Sequence, residues 1–147
     1  MILQQPKLVV IESPYAATPY YTVEQHRLYL QHCIQDSVAR GESPYASHHY
    51  LTDILDDNDP AERAFGIKCG LMWGMHADLI AVYSDFGVGP GMADAIEHYN
   101  KIGKRIEWRK LPHKVVASIK QFGEQTKGTP DEVWTSTDLS GADGHIR

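Results

Sequence analysis

The stretch Ala77 to Glu97, ADLIAVYSDFGVGPGMADAIE, decides the fold. Leu79 to Tyr83 is a short apolar, β-rich run, the pattern of a strand covered on both faces. A loop carrying Gly87, Gly89 and Gly91 follows, and then Met92, Ala95, Ile96, Tyr99 and Ile102 repeat at helical spacing up to Gly103. Strand, glycine loop and helix in that order predict one βα unit of a parallel sheet, with the loop at the strand's carboxyl end. Glycines there let backbone approach a ligand closely, and the first helical N–H groups point at whatever the loop holds. The loop is neither a dinucleotide fingerprint nor a phosphate-binding P-loop: the last position of G-x-G-x-x-G falls on Met92, and no Lys-Ser/Thr follows. A tight structural turn is the alternative reading.

Working outward, Lys7 to Ile11 reads as a first strand ending in the turn Glu12-Ser13-Pro14-Tyr15. Thr22 and Gln25 have capping-box spacing and start a helix over Val23 to Ala39, which Gly41 stops. Its apolar stripe reads as Val23, Leu30, Cys33, Ile34 and Val38. Ser43 to Ser47 is a second strand ending at His48-His49, and Tyr50 to Leu55 a short helical turn. Asp59-Pro60-Ala61-Glu62 opens a helix to about His76, with Phe65, Cys69, Met72 and Met75 as the expected buried stripe and Gly66, Gly70 and Gly74 as a small-residue row. Arg105 to Trp108 is the last strand, and Val115, Val116, Ile119 and Phe122 mark the last helix. The alternation predicts an α/β fold: a three-layer parallel sheet with helices on both faces. Residues 1–127 form one domain on this reading, and 128–147 a polar tail anchored by Val133 and Trp134.

Composition narrows the function. With 147 residues and 42% hydrophobic content, the chain has material for one full core. A net charge of −5 argues against a nucleic-acid binder, which needs a basic face, but not against a small anion held by backbone N–H groups. Cys33 and Cys69 lack metal-ligand spacing and fit free thiols of a cytoplasmic protein. No charged leader precedes a long apolar run, and no stretch has the length of a membrane span. A metal site is not expected: His48-His49 has no third ligand at zinc spacing, and the acids from Asp53 to Asp59 lack the calcium-loop pattern. No cofactor is called for either.

Several side chains converge on the carboxyl ends of the strands. Asp85 stands where a carboxylate accepts hydrogen bonds from sugar hydroxyls, or where it merely caps a turn. Asp78 begins the same strand and reads equally as the end of the preceding helix. Glu12 is a candidate acid or nucleophile beside Ser13 and Tyr15, with a satisfied turn carboxylate as the alternative. His48 faces the same cleft or the core. Arg63 reaches a ligand phosphate or pairs with the acidic loop.

VVIESPYA, GESPYASHHY, LDDNDPAERAFGI and ADLIAVYSDFGVGPGMADAIEHYNKIGKRIEWRKL resemble a bacterial and phage family of nucleoside 2-deoxyribosyltransferase-like domains, from about Lys7 to Leu111. The resemblance implies a flavodoxin-like sheet and cleavage or transfer of an N-glycosidic bond in a nucleoside or nucleotide. It implies a glutamate nucleophile at the sugar's anomeric carbon, assisted by further carboxylates. Carried onto this sequence, Asp78 and Asp85 look like site acids, and Gly87, Gly89, Gly91 and Met92 like the glycine turn. The nucleophile's position falls on Gly91, which leaves Glu12, Asp94 or Glu97 as replacements. Two expectations follow: an N-glycosidase or deoxyribosyltransferase, or a non-catalytic binder that sequesters or senses a nucleotide signal, as in phage counter-defence. A homo-oligomer is the expected assembly. A purely structural subunit is the third reading.

Overall fold

The structure, a computed structural model, describes residues 4–126; the expected tail lies outside them. Four strands, β1 (Leu8–Glu12), β2 (Ser43–Tyr45), β3 (Leu79–Tyr83) and β4 (Ile106–Arg109), form one parallel sheet in the order β2-β1-β3-β4. Val10 lies between Tyr45 and Ile80, and Val82 beside Trp108. The helices are α1 (Val23–Ala39), α2 (Pro60–His76), α3 (Pro90–Lys101) and α4 (His113–Thr126). The fold is α/β, three-layered and flavodoxin-like.

Crossover handedness places the helices. β1 leads through α1 to β2 on one side, and the chain then returns through α2 to β3 on the other side of β1. Right-handed crossovers in opposite directions put α1 and α2 on opposite faces. Strand parity divides the core accordingly. Val9, Ile11, Leu79, Ala81 and Tyr83 pack with Tyr29, Leu30 and Cys33 of α1 and Val116 and Ile119 of α4. Val10, Ile80 and Val82 pack with Met92, Ala95 and Tyr99 of α3.

Local capping rules hold. Thr22 and Gln25 form the reciprocal box, and Asp59 accepts from the Ala61 and Glu62 N–H groups above Pro60. Two stripes differ from expectation. The buried face of α1 is Gln25, His26, Tyr29, Leu30, Cys33 and Ser37, while Val38 is exposed. Gln25 and Tyr29 enter because they find partners: the Gln25 amide donates to the Ile119 and Lys120 carbonyls, and the Tyr29 hydroxyl to Asp85. β2 is also shorter than expected, since the chain turns into a 3-10 turn over Ser47–His49.

In α2 the glycine row is the buried one. Gly70 and Gly74 face inward, whereas Phe65, Met72 and Met75 are exposed and Cys69 is only partly buried. Tyr99, fully buried on α3, occupies the space over Gly74, and Ser47 that over Gly70. A Cβ at residue 74 would fall on the Tyr99 phenol ring. Gly74→Ala is therefore expected to lower unfolding free energy by about 3 kcal/mol despite alanine's better helix propensity, because a buried ring cannot move aside without opening the core. Urea denaturation checks this; an equal or higher midpoint would show that Tyr99 repacks freely.

Candidate functional site

A cleft of about 610 Å³ opens at the carboxyl ends of β1 and β3, between the β1–α1 turn, the Ser47–Asp53 turns, the first half of α2 and the glycine loop. In sheets of order 2-1-3-4 this is the topological switch point, where chain connections diverge and leave a crevice. Its size lies in the range of small-molecule sites. Glu12, Ser13, Tyr15, His48, Arg63, Gly87, Gly89, Gly91 and Met92 all line it.

Glu12 ends β1 with the parity of Val10, so its side chain leaves the sheet toward α2 and α3. Its carboxyl makes no hydrogen bond or ion pair among the described residues, and burial pushes its pKa up to about 7. The carboxyl lies near enough to Tyr99 for its charge to help raise the phenol's pKa, after the larger effect of burial. Next to it, Ser13 Oγ and His48 Nε2 are hydrogen-bonded at 2.8 Å. Burial first, then the neighbouring His49 and His26, lowers the His48 pKa to about 4, so the ring is neutral at pH 7 and its tautomer sets the direction of that bond. The Tyr15 ring meets His48 edge to face, and its buried hydroxyl has no partner within hydrogen-bonding distance among the described residues.

The opposite wall is backbone. Gly87 adopts φ +85°, a left-handed conformation that explains glycine at that position. Gly89 caps α3 without a side chain and Pro90 brings no N–H, so the Gly91 and Met92 N–H groups precede the helix's own hydrogen bonds and receive no side-chain cap. A Cβ at Gly91 would meet nothing within 4 Å, so packing does not require glycine where the resemblance puts a nucleophile. Arg63 sits at the rim and pairs with Asp57 at 3.0 Å.

The other four candidate acids stand outside the cleft. Asp78 is at the opposite end of β3, about 17 Å away at the rise of a strand, where it accepts the Leu8 N–H at 2.7 Å. Asp85 is next to the loop but turned to the α1 side: it accepts from the Tyr29 hydroxyl at 2.7 Å and the Leu111 N–H at 3.0 Å. Asp94 is exposed on α3, and Glu97 pairs with Lys101 at 2.9 Å on the same surface. The structure also adds walls that the sequence had not placed at the cleft. Phe86, Leu55 and Ile67 supply apolar surface, and Gly66 and Gly70 let the cleft approach the α2 backbone. The four-residue glycine spacing was the visible signal for the last two.

Fold and cleft define a flavodoxin-like α/β protein with an acid-bearing pocket at the switch point of its sheet. The chain belongs to the family described as a domain of unknown function, DUF7768, whose model matches residues 7–109. No curated protein and no solved structure matches it.

Proposed function

We propose that the cleft binds a nucleoside or nucleotide and that Glu12 assists cleavage of its N-glycosidic bond. The observation that carries this reading is Glu12 itself: a carboxyl in a ligand-sized cleft, without a protein partner and with a pKa near neutrality. A carboxyl of that acidity suits general acid catalysis at neutral pH. Its proton passes to the departing base as the bond from sugar carbon to base nitrogen breaks. Water adds to the sugar carbon and releases a proton to solvent. The glycine loop and the α3 N–H groups suit the sugar and any phosphate, and Phe86 and Leu55 offer apolar surface to the base.

A second reading has its own support. The other cleft carboxylates, Asp57 and Glu62, are engaged by Arg63 and by the Asp56 N–H, and Gly91 supplies no nucleophile. A retaining double displacement uses two carboxyl groups. A binder that sequesters or senses a nucleotide needs none.

Incubation with deoxynucleosides, their monophosphates and nicotinamide-derived nucleotides separates the readings. Free base is followed by chromatography and binding by calorimetry. Base release is the expected result. Tight binding of an unaltered ligand would instead establish the binder, and neither binding nor turnover would remove both.

A further inference from the structure

We infer that the outward face of α2 pairs with the same face of a second copy of this chain, in an antiparallel two-fold contact centred on Cys69. This inference is independent of the ligand assigned to the cleft. α2 is built inside out: its glycines meet the sheet side, and Phe65, Met72 and Trp73, at 59, 48 and 57% exposure, face away from the core. Phe65, Cys69, Met72 and His76 follow one another at spacings of four, three and four residues, the seam of a helix that packs against another helix. Trp73 extends the patch sideways through its ring contact with Tyr45, and Tyr45 meets Tyr50.

Area and symmetry point to a second copy. Phe65, Met72, Trp73, Met75 and Tyr50 together expose roughly 500 Å² of side chain, most of the about 800 Å² that each partner of a stable dimer buries. Aromatic and methionine side chains with few charges are the composition of an interface core. Isologous contacts are self-complementary, and an antiparallel α2 pair satisfies that condition directly. It sets Phe65 against Met72 of the partner subunit and brings Cys69 toward Cys69 of the partner subunit. It also places the acidic start of α2, Asp59 and Glu62, beside the carboxyl-terminal end at His76 of the partner subunit. Arg63 and Gly70 lie on the other side of the same helix and line the cleft, so the contact would brace one cleft wall.

The full-length chain is tested by sedimentation equilibrium over a concentration series and by a short bis-maleimide. A dimer is expected, with a covalent pair that forms through Cys69 and is lost in Cys69→Ser, since Cys33 is fully buried. Phe65→Glu with Met72→Glu should give a monomer with unchanged far-UV circular dichroism. If that variant fails to fold, the wild-type cross-link still decides. A monomer at every concentration overturns the inference, as does a dimer whose Cys69 takes single labels without cross-linking. A monomer whose Cys69 is shielded from maleimide also overturns it and assigns the face to the chain's own residues 127–147.

Discussion

Glu12→Gln is expected to slow the proposed base release sharply while making the protein harder to unfold above neutral pH. Losing a general acid costs about 100- to 10,000-fold in rate. The stability gain follows from the same burial. In the folded chain the Glu12 pKa is raised from 4.5 to about 7, so the native state holds a proton that the unfolded chain has already released. Native stability from this group is complete below pH 4.5, declines as pH rises to about 7, and stays reduced above it. The penalty at alkaline pH is about 1–3 kcal/mol, discounted for partial access to water through the cleft. Glutamine keeps the shape and carries no charge, so its advantage should appear at about pH 8.5 and shrink toward about pH 5, a stability–activity trade-off. Urea denaturation of both proteins at the two pH values measures it. Equal stabilities at both would mean that Glu12 titrates like a solvated carboxylate, and the catalytic proposal would lose its main support. The pH profile of the reaction gives a second check: the rate should fall as pH rises through about 7.

Arg109→Met is expected to cost about 3–5 kcal/mol of stability, because it strands a partly buried carboxylate. The Arg109 side chain is 2% exposed. It donates to Glu42 Oε1 at 2.6 Å and Oε2 at 2.8 Å, to Glu107 Oε1 at 2.9 Å and to the Tyr83 hydroxyl at 3.3 Å. The Tyr83 hydroxyl in turn donates to Asp36, and Ser37 to Glu42, so one cation ties β4 and β3 to α1 and the start of β2. Arg109→Met with Glu42→Gln should recover much of the loss, since the stranded charge is then gone, and the double-mutant cycle reads the coupling. A cycle without coupling would place the damage in packing. Arg109, first among the causes, holds the Glu42 carboxyl below its ordinary range. Glu42 therefore contributes fully above its unfolded pKa, and that contribution disappears as pH falls through the lowered folded value. The wild type should lose this stability on acidification, and Arg109→Met should lose less.

Cleft residues were unevenly legible. Those set by local chain direction were readable: a turn after β1 and a glycine loop after β3 must lie at the carboxyl ends of a parallel sheet, so Ser13, Tyr15 and Gly87 to Met92 converge there. The destinations of the acids were not readable in the same way. Glu12 and Asp85 both stand at strand ends and look equivalent as letters. One is in the cleft and the other is bound by Tyr29 and Leu111, residues 56 and 26 positions away in the chain. Asp78 looked like a site acid by resemblance, yet it stands at the strand's opposite end, where the Leu8 N–H needs an acceptor.

By itself, the sequence determined the elements and their order, because caps, turns and the periods of helix and strand act over a few residues. Thr22, Asp59-Pro60 and the apolar run Leu79 to Tyr83 are of that kind. Only the tertiary structure decided which face of an element is buried and which acid is left free. In α2 two faces competed, an apolar stripe and a glycine row, and periodicity favoured the stripe. The Tyr99 ring settled the choice, since it reaches the sheet side of α2 only where no side chain stands. Such long-range complementarity is a property of two surfaces in space, and neither surface carries it alone.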